Sequence, residues 1–313
     1  MLEELTKSFL EQMGINGKSE NTLKNYRFGI NKFFNWYKEE ENIEEVDLDD
    51  IKRVTYKTLN KFKEYCLDEK GYKRSYVNNI LMGVNGLYKF LGNRNIMDRE
   101  VNPVRASGTL VVGESDSTFL ELEEVKRLNE ALENKKLVNN CTDRYIRNKL
   151  MVKLLYGCGL RCAEMTALKF SSFVDDGNGQ YSLIVYGKGR KERMLALPEE
   201  IVKLYKEWLN YRRKIKDVKE ENSKYVFLSN KKTKFSNKHI NRLVQMYVKE
   251  AKINKRITTH KMRHTFATNM LKEVEDVKAV SDLLGHKEIN TTLKYLHTLE
   301  ETKNLTRVAN PFF

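Results

Sequence analysis

The sequence predicts a mainly α-helical protein with a small β-sheet, divided into two domains. Its 313 residues are enough for about two domains of ordinary size. Apolar side chains recur every three or four residues along most of the chain, which is typical of helices packed on a core. Two short segments rich in apolar and β-branched residues interrupt this pattern after the first third. We therefore predict a helical first domain and a mixed second domain.

The boundary between the domains is predicted near Pro103. Residues 104–117 contain Gly, Ser and Asp without a helical period, which indicates a linker. The expected domains are thus 1–103 and 118–313.

Two long helices are predicted in the first domain, over 20–39 and 73–91, with Ser19 or Asn21 as the cap of the first. Their predicted buried stripes are Leu23, Tyr26, Ile30, Phe33 and Phe34, and Tyr76, Ile80, Leu81, Val84, Leu87 and Leu91. Shorter helices fit 2–13 and 54–67. The acidic run 39–50 indicates a solvated connection.

The second domain combines helices with a β-hairpin. The hairpin is predicted where the strands 181–186 and 193–197 flank a basic turn that contains two glycines. The segment 225–228 could add a third strand. Helices fit 121–135, 143–157, 199–214, 237–251, 260–272, 276–284 and 290–298.

The composition is that of a basic globular protein. Lys and Arg number 57 against 43 Asp and Glu, a formal net charge of +14, which predicts a polyanionic partner such as nucleic acid or an anionic membrane. No segment approaches the ~20 apolar residues that span a bilayer, and the N-terminus lacks the layout of a signal peptide. We therefore expect a cytoplasmic protein, in which the four cysteines, without a CxxC pair, are reduced thiols.

The charge is unevenly distributed along the chain. Residues 1–50 carry 6 basic and 12 acidic side chains, a net −6, whereas 51–105 carry 12 and 5, a net +7. Residues 106–313 carry 39 and 26, a net +13. The first domain is thus nearly neutral but polarised, and the second holds most of the excess.

Several short motifs in the second domain carry groups that could do chemistry. His260 and His264 have the i, i+4 spacing of a metal pair, but Lys261 stands where a zinc protease has Glu, and Arg263 would oppose the metal. We therefore predict no metal site. The other motifs are Arg161-x-x-Glu164, Lys188 in the hairpin turn, Leu-Gly-His286, and Tyr295 on a predicted helix. Each of them, taken singly, has an ordinary structural explanation.

The order of these motifs resembles the tyrosine recombinase (phage integrase) family, and most closely its small Xer-type members. The matching segments are GLRCAEMTAL, VYGKGRKERMLAL, HKMRHTFATNML and LLGHKEINTTLKYLH. They cover essentially all of 118–300. The resemblance implies a helical, SAM-like core-binding domain followed by an α+β catalytic domain, which together form a clamp around DNA.

The resemblance also implies roles for individual residues. Tyr295 is the expected nucleophile, and Arg161 and Arg263 are expected to bracket the scissile phosphate. Lys188 is the expected general acid for the departing 5′ oxygen, a choice that the alignment of GKGRKER favours over Arg190 and Lys191 in the same turn. His260 would assist proton transfer, His286 would contact the phosphate, and Glu164 would support the site.

These residue types suit strand breakage and rejoining. Two guanidiniums can hold the non-bridging oxygens of an anionic phosphodiester as charge develops in the transition state. A tyrosyl oxygen, with a free pKa of about 10, is a better leaving group than an alkoxide. The 3′-phosphotyrosyl link therefore conserves the bond energy, so the implied reaction needs no ATP, metal or other cofactor.

Basic side chains on both domains are expected to hold double-stranded DNA, mainly through phosphates and with a steep salt dependence. The acidic run 39–50 should lie away from the DNA. The predicted contacts are Lys24, Arg27, Lys32, Lys73, Arg74 and Lys89 in the first domain and Arg190 and Lys191 in the second.

The resemblance further implies a tetramer on paired core sites and a reaction that proceeds through a Holliday junction. Accessory factors could take part. The resemblance implies a C-terminal segment that packs on a neighbouring protomer, and the apolar residues Pro311, Phe312 and Phe313 fit such a docked tail. Two other functions stay open at this point: a type IB topoisomerase and a DNA-binding regulator without chemistry. The target sequence, and the choice among integration or excision, inversion and chromosome dimer resolution, do not follow from these motifs.

Overall fold

A computed structural model describes residues 2–113, 118–187, 192–274 and 276–285. The chain forms two compact units, Met1–Ser115 and Asp116–Phe313. The helices of the first unit are α1 (Leu2–Ile15), α2 (Glu20–Glu41), α3 (Leu48–Arg53), α4 (Tyr56–Glu64), which continues as a π-helical turn over Tyr65–Glu69, α5 (Arg74–Asn93) and α6 (Pro103–Ser107). None of the helices in the described part of the chain is both long and apolar enough to cross a membrane.

Helices α2 and α5 are the centre of the first unit, and they approach each other through two glycines. A Cβ on Gly83 would lie 2.5 Å from the carbonyl oxygen of Tyr26, and a Cβ on Gly29 would overlap the carbonyl oxygen of Ile80. Only glycine permits this backbone contact. Ser19 accepts a hydrogen bond from the backbone N–H of Thr22 at the start of α2. Of the two predicted candidates, Ser19 is therefore the N-cap and Asn21 is not.

Two sequence expectations for the first unit need correction. The predicted solvated run 39–50 contains the start of α3, which Asp47 and Asp50 begin with a reciprocal capping box. Val46, just before this cap, is buried. Tyr76 was predicted in the buried stripe of the second long helix, but 37% of its surface is exposed.

The start of the predicted linker 104–117 is also ordered, because it packs on the first unit. The buried Lys63 donates hydrogen bonds to carbonyl oxygens at the end of α6, including that of Ser107 at 2.6 Å. The side-chain amide of Asn78 exchanges two hydrogen bonds of 2.9 Å with the backbone of Leu110. The residues that make these contacts are far apart in sequence, so the local composition of the segment does not predict them.

The second unit surrounds one central helix with further helices and a small sheet. Its elements are α7 (Leu122–Leu132), α8 (Thr142–Gly157), α9 (Cys162–Thr166), β1 (Phe173–Gly177), β2 (Gln180–Tyr186), β3 (Glu192–Ala196), α10 (Glu199–Arg212), α11 (Glu220–Ser223), α12 (Asn237–Glu250), α13 (Thr259–Val274) and α14 (Val277–Leu284). Short 3-10 turns cover Lys135–Val138 and Phe170–Ser172. Helix α8 is buried along most of its length and forms the middle of the core.

The sheet, within the described residues, has three antiparallel strands in the order β1–β2–β3. The predicted hairpin is β2–β3, with Val185 opposite Arg193. The third strand was predicted at 225–228 but is β1 instead; Tyr225 and Leu228 form only isolated bridges. β1 turns into β2 at Asn178 and Gly179, both with positive φ, which is the Asn-Gly turn that best signals a hairpin.

Candidate active site

The candidate active site is built around the carboxylate of Glu164 in α9. Arg161, the residue before α9, donates from its backbone N–H to Glu164 Oε2 at 2.9 Å and from Nη1 to Oε1 at 2.7 Å. Arg263 in α13 places its Nη1 3.8 Å from Oε2. The structure therefore brings together three predicted site residues that are up to 102 positions apart in sequence.

The loop between α8 and α9 gives Arg161 its position. Gly159 has a φ of +59°, which lets the chain reverse after α8. A Cβ at this position would overlap the ring of Phe266 in α13. The carbonyl oxygen of Gly159 accepts a 2.7 Å hydrogen bond from Arg263 Nη1, so the same turn also anchors the second arginine.

The two predicted phosphate-binding arginines differ in exposure. The Arg161 side chain is 42% exposed, whereas that of Arg263 is 2% exposed. Arg263 donates to two carbonyl oxygens, those of Gly159 and of Leu284 at the end of α14. Arg161 is therefore the guanidinium of this pair that is open to a ligand, and Arg263 also holds α13, α14 and the α8–α9 loop together.

A third arginine, which sequence reasoning missed, completes the cluster. Arg193 in β3 donates from Nη1 to Glu164 Oε1 at 3.1 Å and from Nη2 to Oε2 at 2.7 Å. Burial alone would raise the pKa of Glu164, but the hydrogen bonds and charge of Arg193, followed by those of Arg161, lower it below its ordinary value. Counted over the described residues, one carboxylate among three guanidiniums leaves a net positive charge, which suits an anionic phosphodiester.

The two histidines of the predicted metal pair occupy different surroundings. The ring of His264 is buried, stacks on Phe119 and lies with Nδ1 3.2 Å from the Thr268 hydroxyl. His260, one turn before Arg263, is an exposed residue. Partial enclosure of the His260 ring, followed by the charges of Arg263, Lys261 and Arg161, lowers its pKa below the ordinary 6.5. The lowered pKa favours the neutral ring, which is the form that can accept a proton.

We expect the ring resonances of His260, assigned with His260→Gln, to titrate with a midpoint below 6.5 in the free protein. The folded chain binds a proton at this ring less readily than the unfolded chain does. Its contribution therefore reduces stability as the pH falls below about 6.5, down to the lowered pKa, and is absent at higher pH. Lys261→Ala should move the midpoint upward. A midpoint at or above 6.5 in the wild type would contradict this assignment.

Five predicted site residues lie outside the described residues: Lys188, Arg190, Lys191, His286 and Tyr295. The predicted helix 290–298 and the tail lie outside them as well. Gly285, immediately before His286, is described and has a left-handed backbone (φ 65°) that ends α14. A Cβ there would lie 3.3 Å from Cδ and Nη1 of Arg193, so Gly285 itself lies against the arginine cluster.

Most of the predicted DNA contacts of the first unit are exposed; these are Lys24, Arg27, Lys73, Arg74 and Lys89. Lys32 is different, since its Nζ donates to the Tyr72 hydroxyl at 2.7 Å and lies over that ring. Phe28 in α2 and Tyr76 in α5 are also exposed. Their ring centroids are 6.3 Å apart, so the two rings contact each other on the surface of this helix pair. The stripe pattern had placed Tyr76 in the core.

Comparison with known proteins agrees with this fold. Residues 118–302 match the phage integrase family, and 6–95 match the SAM-like N-terminal domain of phage integrases. The chain therefore belongs to the phage integrase family, the tyrosine recombinases.

Among curated proteins it is similar to tyrosine recombinase XerA of Pyrococcus horikoshii, with 28% identity over 96% of this chain and 91% of the relative. It is also similar to XerC of Leptospira interrogans, with 29% identity over 99% and 94%.

Two solved structures show the same fold. XerH site-specific recombinase bound to a palindromic difH substrate matches with a TM-score of 0.71 and 21% identity, over 93% of this chain and 79% of that one. A lambda integrase tetramer bound to a Holliday junction matches with a TM-score of 0.67 and 18% identity, over 94% and 76%.

Proposed function

We propose that the protein is a site-specific DNA recombinase that cuts and rejoins strands through a 3′-phosphotyrosyl intermediate on Tyr295. The observation that carries this proposal is the cluster of Arg161, Arg193 and Arg263 around Glu164, within the part of the chain that matches the family. Such a cluster suits the stabilisation of a phosphoryl transition state, because guanidiniums stay protonated and form paired hydrogen bonds with phosphate oxygens.

In the proposed reaction the Tyr295 oxygen attacks the scissile phosphorus and its proton passes to neutral His260. The bond from phosphorus to the 5′ oxygen breaks, and Lys188 protonates that oxygen. Arg161 and His286 would contact the phosphate, and Arg263, which is 2% exposed, would add its positive charge from its buried position, while Glu164 holds Arg161. Attack by a 5′ hydroxyl from a second duplex then reverses the step and releases Tyr295, first forming and then resolving a Holliday junction.

The first test is covalent trapping on DNA. Selection of bound sequences from random duplexes supplies a core site, and a nick close to the scissile phosphate lets the 5′-hydroxyl fragment diffuse away. The wild type should accumulate a denaturant-resistant protein–DNA adduct, and Tyr295→Phe should form none. Tyr186→Phe is a matched control, because Tyr186 is an accessible tyrosine of the same unit, 54% exposed. Absence of the wild-type adduct, or its persistence in Tyr295→Phe, would refute the mechanism.

Adduct formation alone does not separate a recombinase from a type IB topoisomerase. A plasmid with two selected sites distinguishes them, since a recombinase deletes or inverts the intervening segment. Relaxation of supercoils without exchange would favour the topoisomerase, and sequence-specific binding without an adduct would favour a regulator.

We further propose that 1–103 and 118–313, joined through 104–117, hold duplex DNA between them in the cytoplasm. Arg190, Lys191 and the exposed cations of α2 and α5 would contact phosphates. Lys32 would contribute less because Tyr72 already engages its ammonium.

The active assembly in this proposal is a tetramer on paired core sites, to which accessory factors could bind. The lambda integrase of similar fold forms a tetramer bound to a Holliday junction. The apolar residues 311–313 would dock on a neighbouring protomer and couple the subunits. Deletion of 310–313 should leave DNA affinity within about twofold and reduce recombination by at least tenfold, measured by gel shift and by the two-site plasmid assay. Unchanged recombination would count against the docked tail.

A further inference from the structure

The guanidinium of Arg193 engages both carboxylate oxygens of Glu164, although the proposed reaction assigns this arginine no role. Both of its Nη atoms donate to the carboxylate, at 3.1 and 2.7 Å, in a paired geometry. The two side chains are 9% and 6% exposed, so the pair is largely withdrawn from water. A hydrogen-bonded pair of this kind, shielded from solvent, is strongly oriented.

Glu164 transmits this orientation to Arg161. Its Oε1 receives hydrogen bonds from both Arg193 and Arg161, and its Oε2 receives hydrogen bonds from Arg193 and from the backbone N–H of Arg161. Arg161 is half-exposed and is the member of the cluster open to a ligand. A rotation of the carboxylate would therefore move the exposed guanidinium, and Arg193 is the buried group that resists the rotation.

Arg193 also touches the end of α14. A Cβ on Gly285 would lie 3.3 Å from the Cδ and Nη1 atoms of Arg193. The carbonyl oxygen of the preceding residue, Leu284, accepts a hydrogen bond from Arg263. Arg193 thus connects its own strand, β3, with α9 and α14. Helix α9 carries Glu164 and directly follows Arg161, and α14 ends at Gly285.

We propose that Arg193 is a positioning residue for strand cleavage, which acts by holding the Glu164 carboxylate in the orientation that places Arg161 against the non-bridging oxygens of the scissile phosphate. This inference rests on the proposed function. Lysine at this position would keep the charge but would lack the planar fork that engages both carboxylate oxygens. Glutamine would lose the charge as well.

The test compares two nicked substrates, one with the natural scissile phosphate and one with a neutral methylphosphonate there. A neutral linkage depends less on cationic stabilisation, so a fault in Arg161 placement should slow the natural substrate selectively. In single-turnover cleavage we expect Arg193→Gln to slow the phosphate substrate about 100-fold and the methylphosphonate at most about tenfold. Arg161→Ala should show the same selectivity, and Arg193→Lys should be intermediate.

Arg212→Gln provides a matched structural control. Arg212 is also a buried arginine of the second unit, 5% exposed, but it donates to the carbonyl oxygens of Ser223 and Tyr225, away from Glu164. Any effect of its loss on folding should slow both substrates equally. If Arg193→Gln behaves like Arg212→Gln, or cleaves at the wild-type rate, Arg193 is not a positioning residue.

A readout independent of cleavage separates this inference from the proposed function. The NMR order parameter of the Arg161 Nε–H bond, assigned with Arg161→Lys, should fall in Arg193→Gln and stay unchanged in Arg212→Gln. An unchanged order parameter in Arg193→Gln would overturn the inference even if the wild type forms no adduct. Failure of the wild-type adduct together with a lowered order parameter would refute the proposed chemistry and leave supported only the orientation of Arg161 by Arg193.

Discussion

Replacement of Arg161 by alanine is expected to slow DNA cleavage about 100- to 1,000-fold with little loss of stability. Its side chain is half-exposed and its hydrogen bond partner Glu164 keeps the paired contact with Arg193 after the change. The buried carboxylate therefore stays neutralised. Single-turnover cleavage of the nicked duplex measures the rate, and thermal unfolding followed by circular dichroism measures the stability.

Arg263→Ala is the informative comparison, because it should lose activity and stability together. Its guanidinium is 2% exposed and its removal leaves the carbonyl oxygens of Gly159 and Leu284 without these donors. Loss of such a buried charged donor typically destabilises a protein by about 3 kcal/mol. Unfolding of Arg161→Ala at a much lower temperature than the wild type, or an unchanged unfolding temperature for Arg263→Ala, would contradict this division of roles.

The second large effect is expected in the first unit, where Gly83→Ala should destabilise the helical core by about 3 kcal/mol. The added Cβ would meet the carbonyl oxygen of Tyr26 at 2.5 Å and its Cα at 3.0 Å, and backbone cannot move aside as a side chain can. Helices α2 and α5 would have to separate. The gain of about 1 kcal/mol in helix propensity on replacing glycine offsets only part of this.

Gly14→Ala is the matched control for Gly83→Ala. The nearest atom to its Cβ would be a methyl group of Leu23 at 3.6 Å, an ordinary contact, and Gly14 also lies in a helix. This change should be neutral or slightly stabilising. Urea unfolding can be followed through Trp36 in a Trp208→Phe background, since the chain has two tryptophans, one in each unit. Equal midpoints for Gly83→Ala and Gly14→Ala would show that the close contact is not required.

The longer helices could be predicted from the sequence because their signals are local. The stripe over 20–39 and the Ser19 cap correspond to α2, and the basic turn with flanking β-branched residues corresponds to β2–β3. β1 was missed because only its first residue, Phe173, is buried, so it lacks the apolar run that favoured 225–228. The Asn178-Gly179 turn was the signal that could have revealed it.

The candidate site could be predicted only in part, for a similar reason. Arg161 and Glu164 form a motif within one turn, and the family pattern selects them. Arg193 lies 29 residues from Glu164 and is one of several basic residues around the hairpin turn, so no spacing rule selects it. Its role depends on the pairing of β3 with β2 and on the approach of α14, which are tertiary features.

The sharing of one carboxylate by three guanidiniums has a consequence for how the sequence can evolve. Each of the four side chains sets the electrostatic and hydrogen-bonding surroundings of the others, so the effects of substitutions at 161, 164, 193 and 263 should not add. A change that is harmful alone can be tolerated once a second has occurred, as when the loss of Glu164 removes the reason for retaining Arg193. We therefore expect substitutions at these four positions to occur together in evolution, and only in a few orders.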